Sequence, residues 1–158
     1  MATALKQTQS FLQGIVGTDD ELTEAVFSND PRVIVNLKVF LQHLSTNDAV
    51  CSVETMGKTF GSEDVSSVRH GLKRLSQENV RKEPKTFAGE FQGMIPKWGT
   101  FQFKPSDSQN TIIGKVGEAI TDPTSINDNL NRTVTIDTIE TRVGSGRPRY
   151  VLSSLPIW

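Results

Sequence analysis

Between residues 85 and 155, five short β-type runs alternate with turn signals and are interrupted by one helical insert. That spacing directs the second half of the chain toward a small β-barrel. In the first run, residues 87–95, Phe87, Phe91 and Ile95 are apolar, and Gly89 and Gly93 are spaced like glycines that let a strand coil sharply. Pro96-Lys97-Trp98-Gly99 breaks the run, and residues 100–104 then alternate Phe101 and Phe103 with Gln102 and Lys104, as in a half-buried strand. A loop over 105–110 leads to a third run, 111–116, with Ile112, Ile113 and Val116 around Gly114. Asp122-Pro123 reads as a helix start, its carboxylate capping first-turn amides and its proline giving up no needed donor, and the helix ends near Asn131. Residues 132–143 are rich in Val, Ile and Thr, but the apolar phase moves from Val134 and Ile136 to Ile139 and Val143. A bulge near Asp137 would bring both halves onto one core. Gly144-Ser145-Gly146 is a hairpin turn, and residues 147–153 return through Tyr150, Val151 and Leu152. Closing the sheet removes exposed strand edges.

Gly89-Glu90-Phe91 with Gly93, Ile95-Pro96, Phe101-Gln102-Phe103, Gly114-Lys115-Val116, Val143-Gly144 and the run from Gly146 through Arg147-Pro148-Arg149-Tyr150 to Leu152 carry a further signal. Together they resemble the C-terminal five-stranded barrel of certain small uncharacterised bacterial proteins. Arg147-Pro148-Arg149-Tyr150 is the most particular part of the match. The resemblance supports the barrel topology, and the barrel is expected to be SH3-like or OB-like. It brings no catalytic residue with it, so it bears on fold rather than on chemistry.

The whole chain is 158 residues, enough for one domain with a sizeable core or for two small units. Its net charge of -1 argues against attachment to polyanions by bulk charge, leaving only a local basic face for that purpose. The single cysteine, Cys51, excludes an intramolecular disulfide and a cysteine-rich zinc site. No apolar run approaches the roughly 20 residues that cross a bilayer, and the first residues lack the features of a secretory signal. The expected setting is cytoplasmic, with no membrane partner.

In the first half, residues 3–16 and 19–27 are helical candidates separated by Gly17-Thr18, with Leu5, Phe11, Leu12, Ile15, Val16, Leu22, Val26 and Phe27 as their apolar positions. Asp19, Asp20 and Glu21 fall in a first turn, where carboxylates favour the positive end of the helix dipole; this is a stabilising role and not a metal site. Asp30-Pro31 opens the clearest helix, with Ile34, Leu37, Leu41 and Leu44 on one stripe widened by Val33 and Phe40, and the polar run 45–48 ends it. Residues 50–54 and 58–60 around Met56-Gly57 read as a β-hairpin, followed by a helix capped by Ser62. Val65, Val68, Leu72 and Leu75 then face inward, while Arg69, Lys73 and Arg74 face outward near His70, and Arg81, Lys82 and Lys85 extend the basic region. The competing reading makes 52–60 a helix, giving the order of a winged helix with residues 62–80 as its recognition segment. Against it stand a short turn at 61–64, Ser62 at a place usually apolar, and Gly57 where alanine is usual.

Chemistry-bearing residues are sparse. Cys51 has no histidine or carboxylate at catalytic spacing, and His43 and His70 lie on different helices without a ligand partner, so each reads as structural. Glu63-Asp64 and Glu118 with Asp122 read as helix caps. The glycines at 144 and 146 are not followed by a helix with a phosphate-loop lysine. Trp98 is an anchor for a partner if exposed, or else a lid over the barrel mouth, which is the preferred reading because a small barrel needs a large residue to seal it. Trp158, following Leu155, Pro156 and Ile157, either tucks against the core or contacts a partner.

The expectation is therefore an α+β chain, with a helical and hairpin unit over 1–84 and a five-stranded barrel over 85–158. Its expected role is that of a non-enzymatic protein-binding or adaptor module of a bacterial assembly, acting through Trp98, Lys97, Arg147, Arg149 and Tyr150, without cofactor or metal. The alternative is a winged-helix DNA-binding regulator using Arg69, Lys73, Arg74, Arg81 and Lys82. Binding of single-stranded nucleic acid by the barrel is a third class, and would require exposed aromatics on a strand face.

Overall fold

The computed structural model describes residues 10–55, 57–76 and 78–158, without the side chains of residues 55, 58 and 60. The chain is α+β, with N-terminal helices, a β-hairpin and a closed five-stranded barrel. Its contacts divide it into two units, the first ending at Arg81 and taking in Thr141–Pro148, the second comprising Lys82–Glu140 and Arg149–Trp158.

Helix α1 is described over residues 10–16, and the remainder of the expected 3–16 helix lies outside the described residues. Helix α2, Asp19–Ser28, starts with a capping box: the Glu21 amide donates to the Thr18 hydroxyl at 3.2 Å and the Thr18 amide to the Glu21 carboxylate at 2.7 Å. Helix α3, Pro31–Thr46, has Pro31 in its first turn, and Asp30 accepts the Arg32 amide at 2.8 Å. The Arg32 side chain and amide hold the Asp30 carboxyl at about 2. Ile34 and Leu41 of α3 are buried, whereas Phe40 is exposed with Val35 and Val39, so the apolar stripe is narrower than the sequence suggested.

Strands β1, Ser52–Thr55, and β2, Lys58–Gly61, form an antiparallel hairpin with Ser52 opposite Gly61 and Glu54 opposite Thr59. The helix over 52–60 that a winged-helix order required is thus not formed. Helix α4, Val65–Arg74, is capped by Asp64, whose carboxylate accepts the Ser67 amide at 2.7 Å. Ser62, the expected cap, is buried two residues earlier. The core of this unit joins Phe11 and Ile15 to Leu22, Val26, Leu41, Val68, Leu75 and Val143.

The barrel consists of β3 (Val80–Ile95), β4 (Thr100–Pro105), β5 (Ile112–Val116), β6 (Thr133–Val143) and β7 (Arg149–Leu152), in the order β3-β4-β5-β7-β6. Strand β3 starts earlier than the pattern from Phe87 suggested, because its first residues are charged and exposed and carry no apolar alternation. Strands β5 and β7 are parallel, with Gly114 opposite Tyr150 and Val116 opposite Leu152. Parallel neighbours need a long crossover, and here it contains α5, Ser125–Asp128, and β6. Helix α5 is a single turn rather than the longer helix expected, and Asp122 accepts the Thr124 hydroxyl at 2.6 Å rather than a helix amide.

Phe91, fully buried, lies at the centre of the barrel core, meeting Phe101 and Phe103 edge-on at centroid distances of 5.7 and 5.0 Å. Such a ring contributes about 1.5–3 kcal/mol by burial alone. The β3–β4 register slips between Phe91 and Gly93, which makes Gln92 a bulge and turns Met94 inward opposite Phe101. Asn127 secures that irregular stretch like a short strand, accepting the Met94 amide at 2.8 Å and donating to the Met94 carbonyl at 3.0 Å.

The phase change expected near Asp137 in β6 falls later. Val134, Ile136 and Thr138 continue one alternation inward, Ile139 is exposed, and burial resumes at Thr141 and Val143. Thr138 is accommodated because its hydroxyl donates to the Lys85 carbonyl at 2.9 Å. The later residues serve a different core: Val134 and Ile136 belong to the barrel cluster and Val143 to the helical one.

At Gly89 the β4 backbone comes so close that an added Cβ would meet the Lys104 carbonyl oxygen and lie 2.8 Å from Pro105 Cα, whereas at Gly93 it would meet nothing within 4 Å. Gly89→Ala is expected to destabilise the barrel by about 1–3 kcal/mol and Gly93→Ala to be tolerated, as urea titrations of the two variants will read. Equal losses would mean that the close approach at Gly89 does not set the barrel's shape.

Candidate functional site

The turn between β3 and β4 is built to hold one aromatic ring outward. Pro96 fixes the first residue of a single 3-10 turn, Pro96–Trp98, and Gly99 ends it in the left-handed region at φ 57° with its amide donating to the Pro96 carbonyl at 3.2 Å. Trp98, held between them, is 65% exposed. It is therefore not the lid that the small barrel was expected to need. Trp158 takes the packing role, its ring tilted against Phe91 at a centroid distance of 5.8 Å.

The strands beside this turn carry two further outward apolar residues. Ile95 lies opposite Thr100 and Ile113 opposite Gln102, and these residues occupy the outward positions of β3, β4 and β5. Ile95 is 45% and Ile113 62% exposed. Lys97 is exposed in the turn itself, and the outward charged positions of β4, β5 and β7 are Lys104, Lys115 and Arg149. In the sequence both isoleucines read only as apolar positions of barrel strands and not as a surface, although Ile112-Ile113 carries the signal. Side chains alternate along a strand, so adjacent isoleucines in a barrel strand with one core cannot both be inside.

The other expected contact residues divide. Arg149 precedes Val151 on the outward side of β7, whereas Tyr150 is turned inward and meets Phe87 edge-on at 5.5 Å. Arg147 belongs to the first unit, where its amide and guanidinium engage the Asp20 carboxylate. The barrel phenylalanines offer no stacking platform, since Phe101 and Phe103 are 1% and 0% exposed.

The basic residues proposed for DNA are also unlike one another. Arg69 is exposed and pairs with Asp48 at 2.6 Å, Lys73 is exposed, and Arg81 donates to the Gly144 carbonyl at 2.9 Å. Lys82, exposed, begins the second unit. Arg74 does not face outward: it is 8% exposed, and its guanidinium donates to the carbonyls of Gly14 and Ile15 at the end of α1 and to Asp19 at 3.0 Å. The other Asp19 oxygen accepts the amide and hydroxyl of Ser145, each at 3.0 Å. The Ser145 amide, followed by Arg74, holds the Asp19 carboxyl below the usual carboxylate range, against an opposing effect of burial.

Beside this network, a cleft of about 410 Å³ is bordered by Asp19, His70, Lys73, Arg74 and Glu78. Its cationic and anionic side chains face it together and define no single ligand charge. His43 and His70 are exposed on α3 and α4, and Cys51 is half-buried. Among the described residues no group of three His, Cys, Asp or Glu is placed to hold a metal ion, and no helix is long and apolar enough to cross a membrane. Comparison with protein-family models, with curated proteins and with solved structures gave no match.

Arg74→Ala is expected to cost about 3–5 kcal/mol, since it strands a partly buried carboxylate and two carbonyls, whereas Arg69→Ala, at an exposed pair, costs about 1 kcal/mol or less. Because folding lowers the Asp19 pKa, the stabilisation it brings is present above the ordinary carboxylate value and lost as pH falls through the folded one. Denaturant titrations across the acid range should show a shallower decline for Asp19→Asn than for the unmodified chain. Parallel declines would show that Asp19 does not contribute to acid sensitivity.

Proposed function

We propose that the chain is a non-enzymatic protein-binding module that docks its partner on the outer face of the barrel around Trp98. The observation that carries this reading is the 65% exposure of a tryptophan held by a proline and a left-handed glycine on a tight turn, beside exposed Ile95 and Ile113. A folded chain gains little by holding its ring in water when Trp158 already covers Phe91. An exposed, conformationally restricted tryptophan loses little entropy on binding and buries a large area, which is why such residues dominate interface energetics. Lys97 and Arg149 flank the same face and suit a polar rim.

The winged-helix alternative draws less support, since residues 52–60 form a hairpin and Arg74 is occupied inside its unit.

Photo-crosslinking from a benzophenone side chain placed at position 113, beside the proposed contact, tests the reading in the full-length chain. A defined protein adduct that disappears with Trp98→Ala and persists with Arg69→Ala and Lys73→Ala is expected, with the tryptophan contributing at least about 2 kcal/mol of affinity. An adduct indifferent to Trp98→Ala, or loss of binding only in the Arg69 and Lys73 variants together with salt-sensitive retention of duplex DNA, would overturn it.

A further inference from the structure

We infer that the partner segment received by this face is acidic, with an apolar side chain seated among Trp98, Ile95 and Ile113. The inference rests on the docking reading above and adds to it the chemistry of the occupant.

The argument begins with the strand register. On β4, β5 and β7 the outward residues are Thr100, Gln102 and Lys104, then Ile113 and Lys115, then Arg149 and Val151. Every charged residue in that set is a cation, and Lys97 in the adjoining turn adds another. Glu90, opposite Lys104 on β3, borders the set. The other carboxylates of the second unit lie off those strand positions: Glu83 on β3, Asp107 in the loop after Lys104, Glu118, Asp122 and Asp128 in the crossover, and Asp137 and Glu140 on β6. In a chain whose net charge is -1, this is segregation by strand and not an excess of base.

The apolar residues lie within the same set. Thr100 has Ile95 on one side and Lys115 on the other, while Gln102 has Ile113 beside it. Ile95 and Ile113 lie two strands apart and two residues offset along them, so with strands about 4.8 Å apart and a rise of about 3.3 Å per residue they are roughly 12 Å apart, within the span of a short segment laid across the strands. A partner that filled this centre with its own cations around it would set like charges against Lys97, Lys104 and Lys115. One with carboxylates flanking its apolar residue would meet complementary charge on each side. Each exposed charge pair changes affinity by only roughly two- to fivefold, so the apolar anchor supplies the binding and the cations choose among anchors.

A nucleic acid would meet the same cations, but the outward positions of β4, β5 and β7 carry no aromatic ring. Strand-tracking surfaces for single-stranded nucleic acid stack successive bases on exposed aromatics, and on these strands Phe101 and Phe103 are buried, leaving Trp98 alone at the rim.

Three displayed peptide pools of about twelve residues, matched in length to segments that cross such a face, test the inference on the immobilised full-length chain. All carry a central Leu, Phe or Trp; their flanks are randomised among Glu, Asp, Gly and Ser, among Gly and Ser only, or among Lys, Arg, Gly and Ser. A labelled oligothymidylate is the fourth probe. The acidic pool is expected to be enriched about tenfold over the neutral one, with enrichment lost on Trp98→Ala and reversed toward the basic pool by Lys97→Glu with Lys104→Glu. Thermal unfolding of these variants, followed by circular dichroism, verifies that each remains folded. Equal enrichment of neutral and acidic pools, still dependent on Trp98, would overturn the charge inference and leave the docking reading standing. Retention of oligothymidylate in preference to every peptide would overturn the choice of partner class. Failure of all pools to bind in a Trp98-dependent way would overturn both readings.

Discussion

The buried guanidinium of Arg74 is the interaction on which the helical unit depends. A charged group that is 8% exposed is tolerable only when its donors are met, and Arg74 meets them with the Gly14 and Ile15 carbonyls and the Asp19 carboxylate. These are groups that helix geometry leaves over: carbonyls at the end of α1, which have no partner in the next turn, and a carboxylate in the first turn of α2. One residue on α4 thus fixes the corner between two earlier helices. The effect extends through Asp19 to Ser145, and Thr23 accepts the Val143 amide at 3.0 Å while donating to the Asp19 carbonyl at 2.7 Å. Residues more than a hundred positions apart in the chain are thereby held as one polar network around an apolar core.

This arrangement explains why Asp19 and Asp20 were legible only in part. As first-turn carboxylates they satisfied a local rule, and that rule holds for α2. The capping work is done by Thr18 and Glu21, which frees Asp19 and Asp20 to receive backbone amides from residues 145 and 147. No periodicity in the sequence connects these positions. Arg74 was misread for the same reason: beside Leu75 at the end of an amphipathic helix, an arginine is read as solvent-facing unless the acceptors for its charge are known.

The barrel was more legible because its signals are local. Alternation in residues 100–104, the Pro-Lys-Trp-Gly break and the glycine at 89 each report a neighbour one strand away, and the β3–β4 pairing follows from them. The failures occur where one pattern serves two masters. Strand β6 begins with Val134 and Ile136 in the barrel core and ends with Val143 in the helical core, so a change of phase that suggested a bend toward one core marks a change of core. The candidate site was partly legible for a related reason. Trp98 was visible as a loop aromatic, but its exposure depended on which tryptophan covered Phe91, and that choice is made in three dimensions.

The two tryptophans differ in what holds them. Trp158 packs its ring against Phe91 and is 38% exposed. Trp98 is held outward by a turn whose proline and left-handed glycine restrict the backbone while leaving the ring in water. Solubility alone would favour a polar residue there, and the adjacent outward isoleucines compound the exposed apolar area. The outward charged residues of β4, β5 and β7 are all cations, and like charge on an exposed face opposes its pairing with a second copy. On the docking reading proposed above, the same charges that oppose such pairing leave the face open to a surface of opposite sign.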